Sequence, residues 1–215
     1  MRYYISDLHF YHDNLNHRMD NRGFENAEAM NEYMISQWNS KVRKNDEVMI
    51  LGDLSLGTAK QTNEIVERLN GTLYLIEGNH DKYLSQPAFH KKRFVWIRPY
   101  AEVKDNKRKV ILCHYPVFCY NGQYQLEQDG TPHTYMLYGH VHDSFDEHLV
   151  HMFQMQTRES IREVHGREGK VHIPCNMINC FCMFSDYQPL TLDEWIELDQ
   201  RRREEKIENI TQEAK

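Results

Sequence analysis

"LYLIEGNHDKY", residues 73–83, opens as a buried strand and closes on an Asn, a His and an Asp. Leu73, Tyr74, Leu75 and Ile76 suit a pleated, mostly buried ribbon. Gly78 then lets the chain turn sharply without a Cβ. One core strand that hands three coordinating side chains to one tight turn is a small observation, but the chain repeats it. A strand expected over 2–6 ends on Asp7 and His9, and one over 47–51 on Gly52 and Asp53. One over 72–76 ends on Asn79, His80 and Asp81, one over 110–113 on His114, and one over 134–138 on Gly139, His140 and His142. In a parallel-rich sheet the C-terminal strand ends share one edge, where sites of this class assemble. Five segments therefore aim Asp, Asn and His side chains at one place.

The intervening sequence supplies helices. In "ENAEAMNEYMISQWNSKV", Met30, Met34 and Trp38 recur every four residues, the stripe of an amphipathic helix packed on a core. "TAKQTNEIVERLNG" opens with a capping box, Thr58 and Gln61, and closes on Asn70-Gly71 as a C-cap. Strands alternating with helices up to residue 76 predict an α/β layered fold with parallel pairing. "YAEVKDNKRKVILC" predicts a hairpin turning at Asp105-Asn106, and "NMINCFCMF" (176–184) a further strand. The polar stretch 143–170 reads as helical, with Phe145, Leu149, Met152 and Phe153 on one face. It leaves directly from His140-x-His142, so a lid is expected there. A second capping box at Thr191 starts a C-terminal helix and tail. With no internal repeat and no Gly/Ser linker, residues 1–215 read as one domain.

Bulk composition narrows the class. At 215 residues, 40% hydrophobic and 27% charged, the chain can bury a core without disulfides. A net charge of −6 argues against a uniformly nucleic-acid-binding surface, and the basic runs at 91–93 and 107–108 read as solvated turns. No stretch approaches the ~18 apolar residues of a membrane span, and "MRYYISDLHF" lacks a signal-peptide core, so a cytoplasmic location is expected. The five cysteines are odd in number, with no framework spacing. Cys175, Cys180 and Cys182 read as small hydrophobes near a strand, with a thiolate metal site as the weaker alternative.

Carboxylate and imidazole without thiolate suit divalent first-row ions: Mn, Fe, Ni, Co or Zn. The candidates Asp7, His9, Asp53, Asn79, His114, His140 and His142 exceed what one ion needs once water and substrate take positions. Two ions sharing a bridging carboxylate solve the count, and the lone Asp53 is the natural bridge. Asp7-x-His9 and His140-x-His142 each put alternate residues on one side of an extended segment.

Taken in order, Asp7-x-His9, Gly52-Asp53, Gly78-Asn79-His80-Asp81, His114 and Gly139-His140-x-His142 resemble the motifs of the calcineurin-like metallophosphoesterases, over residues 5–142. "SDLHFYHDN", "WNSKV", "HYPVF" and "DYQPLTLDE" are similar to a small prokaryotic and phage-type branch of that superfamily. The resemblance implies a two-layer β-sandwich of mixed sheets flanked by helices, with the metals above the strand ends. It implies that Asp7, His9, Asp53 and His142 hold one ion, and Asp53, Asn79, His114 and His140 the other. His80 would face the substrate as an acid, and Asp81 would orient its ring. A hydroxide bridging ions ~3.5–4 Å apart would attack phosphorus in line, with manganese the first ion to serve in vitro. The substrate expected is a phosphomonoester or small phosphodiester, nucleotides included. A nuclease is the runner-up and ranks lower, since nuclease relatives add basic and aromatic surface or a DNA-binding cap, for which a chain of this size and charge shows no clear candidate. A non-catalytic interaction module of the same fold ranks below it, because such a module is expected to lack His80 or several ligands. His12, in "FYHDN", reads either as a substrate contact or as a surface residue at a helix start, and is left outside the site.

Overall fold

Side-chain alternation along the first strands sets the layers of the molecule. The computed structural model of the chain describes residues 1–163 and 169–213. β1 (Arg2–Ile5), α1 (Ala27–Lys41), β2 (Glu47–Ile50), α2 (Ala59–Val66), β3 (Thr72–Ile76) and β4 (Phe94–Arg98) follow in chain order. The four strands form one parallel sheet, ordered β1-β2-β3-β4. Tyr3, Ile5, Val48, Ile50, Leu73 and Leu75 pack with Met30, Met34 and Trp38 of α1 and Ile65 and Val66 of α2. Tyr4, Met49, Leu51 and Ile76, one residue out of step, face a second core on the other side of the sheet.

That second core is closed by another sheet. β5 (Tyr100–Asp105), β6 (Arg108–Cys113) and β7 (Thr134–Tyr138) are followed by α3 (Phe145–Glu159), β8 (Ile161–Glu163), β9 (Lys170–His172), β10 (Met177–Asn179) and α4 (Leu192–Glu213). The order β10-β7-β6-β5 has β10, β7 and β6 parallel and β5 antiparallel, a mixed sheet; β8 and β9 pair separately. Val110, Leu112, Tyr135, Leu137 and Ile178 meet the first sheet. Ile111, Met136, Tyr138 and Met177 look outward to Val150 and Phe153 of α3. The layers therefore run helix, sheet, sheet, helix: a β-sandwich of mixed α/β type with helices on both faces.

Several local expectations shift. The hairpin turns at Asn106-Lys107, φ 46° and 70°, a primed turn one residue later than expected. α2 ends at Val66, and Gly71 (φ 98°) turns the chain into β3 instead of capping the helix. β4 was not foreseen, because this edge strand leaves Val95 60% exposed and shows no clean apolar alternation. The expected strand 176–184 is cut to Met177–Asn179 because its apolar run serves both sheets. Beyond Asn179 the chain crosses to β1, where the Ser6 amide donates to Cys180 O (2.8 Å) and the Cys182 amide to Ser6 O (3.1 Å). Leu190 then pairs antiparallel with Tyr4, and Trp195 Nε1 donates to Tyr4 O at 2.9 Å.

α3 turns most of its expected apolar face outward. Phe145, Leu149 and Met152 are 72%, 48% and 48% exposed, and of the four residues expected on one face Phe153 packs against the core. The buried residues are Glu147, Val150 and Gln154, with Gln154 Oε1 accepting from the Met177 amide at 3.0 Å. Within the expected lid 143–170, residues 164–168 lie outside the described residues. All five cysteines are unpaired, with Cys175, Cys180 and Cys182 buried. Among the described residues no helix is long and apolar enough to cross a membrane.

Candidate metal centre

The exits of β1, β2 and β3 in one sheet, and of β6 and β7 in the other, bring the predicted ligands together. Their backbone is unusual: Asp7, His9, Asp53, His140 and His142 have φ of 56°, 51°, 52°, 72° and 48°. A left-handed conformation costs a side-chain-bearing residue about 1–2 kcal/mol, and such strain collects at functional sites. Two glycines make room for the carboxylates. A Cβ at Gly78 would collide with the Asp53 amide and Oδ1, and one at Gly139 with Asp7 Oδ2 and Ser6 Cβ. Gly78 lies outside the left-handed region. Its contribution is space, not the turn freedom expected from sequence.

Two clusters result. The donor atoms of Asp7, His9 and His142, all buried, lie within 4.8 Å of one another, as do those of Asp53, His114 and His140. In the first, His9 Nε2 is 3.1 Å from His142 Nε2, and Asp7 Oδ1 is 3.7 Å from His142 Nε2. In the second, Asn79 Oδ1 is 2.9 Å from both His114 Nε2 and His140 Nδ1. Asp53 Oδ2 stands between them, 3.4 Å from His114 Nε2 and 3.6 Å from His9 Nε2.

Outer hydrogen bonds fix what these rings present. His142 Nδ1 donates to Asp20 Oδ1 at 2.6 Å and His114 Nδ1 to Leu51 O at 2.9 Å. Both partners only accept, so each ring proton sits on Nδ1 and Nε2 turns a lone pair inward. There it meets other lone pairs: those of Asp53 and Asn79 for His114, those of His9 and Asp7 for His142. Such a convergence is stable only around a cation, a proton or a metal. Burial resists protonation of His114, but Asp53 and Asp7 outweigh it and push its pKa up to about 9. Burial, reinforced by His142 and Arg22, holds His9 well below the ordinary imidazole range. Burial raises Asp7, whereas at Asp53 burial is overcome by His114 and the pKa falls. Oxygen and imidazole donors without sulfur fit divalent first-row ions, which displace such protons on binding.

A family profile described as the calcineurin-like phosphoesterase superfamily domain matches residues 2–164. The chain belongs to this superfamily. An uncharacterized protein of Methanocaldococcus jannaschii is 31% identical over 199 residues, covering 91% of this chain and 89% of that one. A solved structure, of a protein of unknown function from Aquifex aeolicus, superposes with a TM-score of 0.59 at 19% identity. It covers 92% of this chain and 98% of that one, and shows the shared fold. Divalent metal binding is a property of the superfamily, and the two Asp/His clusters supply its donors here.

Within the calcineurin-like domain, one implied role changes. The buried Asp81 carboxylate accepts from the amides of Gly78 (2.8 Å), Asp53 (3.0 Å) and Leu54 (2.8 Å). Its hydrogen bonds tie the exits of β2 and β3 together and do not reach the His80 ring, which the resemblance implied it would orient. Burial pushes Asp81 up to about 6 against the pull of the Gly78 amide. His80 donates its amide to Asp53 Oδ1 at 2.8 Å, and its half-buried ring stands outside both clusters, 5.4 Å from the ring of His9. Two residues escaped the sequence reading altogether. Asp20 Oδ2 accepts from Arg22 Nε (2.9 Å) and lies 2.8 Å from Nη2 as an ion pair, and the buried Arg22 also donates to Leu8 O (2.7 Å) and Asp7 O (3.0 Å). Arg22 thus braces the Asp7 turn and, through Asp20, the His142 ring. Asp-x-Arg was the available signal, and on a polar loop it is indistinguishable from a solvated pair.

Proposed function

We propose that this calcineurin-like chain hydrolyses a small phosphate ester, a phosphomonoester or phosphodiester with nucleotides among the candidates, by means of two divalent ions. The observation that carries this reading is the shared carboxylate: Asp53 Oδ2 lies 3.4 Å from His114 Nε2 of one cluster and 3.6 Å from His9 Nε2 of the other. Asp7, His9, Asp53 and His142 would hold one ion, and Asp53, Asn79, His114 and His140 the second. When bound, the ions supply Lewis acidity, neutralising phosphate charge and making a water more acidic.

The chain's own residues do the rest. Asp20 and Leu51 O keep protons on Nδ1 of His142 and His114, so both rings offer Nε2. The His80 amide occupies Asp53 Oδ1 and leaves Oδ2 to be shared. Asn79 adds a neutral oxygen where a further carboxylate would repel phosphate. His140 and Asn79 are exposed while Asp7, His9 and His142 are buried, so substrate approaches from the His140 side. An N–H of the His80 ring then gives its proton to the departing oxygen.

The test is elemental analysis together with a panel of mono- and diesters and a single-stranded oligonucleotide, across Mn, Ni, Co, Zn and Mg. Two ions per chain and turnover of small esters, with manganese effective, are expected. Turnover confined to the oligonucleotide would make the chain a nuclease. A chain holding two ions that turns over nothing would be a non-catalytic module.

A further inference from the structure

We propose that His12 is a second substrate-facing imidazole, which together with His80 brackets the phosphate at the mouth of the metal centre. This rests on the phosphoesterase reading above. After His9 the chain folds back on itself, with Tyr11 at φ 65° and the His12 amide donating to His9 O at 3.1 Å. The turn returns the His12 ring to 5.4 Å from that of His9. The His80 ring is also 5.4 Å from His9, and 6.4 Å from His12. Two imidazoles outside both metal clusters therefore stand beside one buried ligand, His9.

Among the described residues the His12 ring has no other task. His12 precedes the short 3-10 turn Asp13–Asn16, but its side chain caps nothing there. Among the described residues its Nδ1 is shielded from solvent and its Nε2 makes no hydrogen bond within the protein. A phosphate oxygen arriving from solvent therefore meets the ring at Nε2, a nitrogen with its hydrogen-bonding capacity unused. The spacing suits one: two N–H···O bonds of ~2.8 Å to a single oxygen span at most ~5.6 Å between nitrogens. Rings 6.4 Å apart at their centres present such a gap when their nitrogens turn toward each other.

Binding of inorganic phosphate to the metal-loaded protein, measured by calorimetry, tests this without requiring turnover. His12→Ala should bind phosphate about tenfold more weakly, the worth of one hydrogen bond to an anion, and still hold two ions. His12→Phe keeps the ring's bulk without its nitrogens and should lose as much. Wild-type phosphate affinity in either variant, loss of an ion, or failure of the metal-loaded wild type to bind phosphate would overturn the inference. The functional reading fails separately, if the wild type binds phosphate but hydrolyses no ester.

Discussion

At His142 the ring is held from behind, with Asp20 taking its Nδ1 proton and Arg22 taking the other oxygen of Asp20. Losing such an outer partner costs about 10–100-fold in metal affinity. Asp20→Asn should weaken by that factor the ion assigned to Asp7, His9, Asp53 and His142, and spare the ion at His114 and His140. Competition titration with a chelating dye resolves the two, and equal weakening would mean general loosening instead. Asp81→Asn must turn an amide N–H toward one of three backbone N–H donors. It should cost roughly 1–3 kcal/mol in urea unfolding. Because burial raises the folded pKa of Asp81 to about 6, against about 4 in the unfolded chain, the folded state binds more protons between those values. The metal-free protein therefore loses stability from this residue as pH rises from about 4 to about 6, and the variant should lose that part of the slope. His80→Asn should slow alkyl esters by ~10²–10⁴-fold but p-nitrophenyl esters far less, whose anion leaves unaided. Metal content should not change; a missing ion with equal losses would make His80 a ligand.

Among the elements, α3 separates what a local pattern can reveal from what it cannot. Strands β1, β2, β3, β6 and β7 were legible because each alternates or runs apolar before a turn. The ligands were legible because each follows such a strand. The face that α3 buries was not. Glu147 lies inside because Arg202 and Arg203 of α4 approach it at 3.9 Å, and Gln154 because the Met177 amide needs an acceptor. Those partners come from 23 to 56 residues away in sequence, beyond any periodic window. The crossing at Phe181 and the Asp20–Arg22 brace were hidden for the same reason. Val150→Ala should therefore cost roughly 1–3 kcal/mol with relative ester rates intact. Phe145→Ser, at a residue 72% exposed, should move stability by no more than about 0.5 kcal/mol. Phe145 opens the helix three residues after His142, so the same substitution should change relative rates across the ester panel. One common factor for every ester would make residues 143–170 a structural connection and not a lid.

For the molecule as a whole, each cluster draws donors from both sheets: Asp7 and His9 with His142, and Asp53 with His114 and His140. An ion in either place fastens one half of the sandwich to the other and binds only the folded chain. At a free concentration 100-fold above Kd, such binding adds about 2.7 kcal/mol, or roughly 5–10 °C in Tm for a chain of this size. Removing metal with a chelator should lower Tm by at least that amount, and manganese should restore it. A Tm that stays fixed through both steps would mean that the clusters do not hold ions.

The crossing at Phe181 bears on how the protein is made. β1 leaves the ribosome well before the partners of its outer edge, Cys180–Cys182 and Leu190, and before Trp195, which covers Tyr4 O. A strand translated well before its edge partners is thus among the last to be completed. Asp7 and His9 wait for His142 and then for this late segment, so the nascent chain has no finished cluster there. Any metal held there is therefore taken up only once the chain is made past residue 195, so the ions then at hand, and not the order of translation, select the one that the cluster carries.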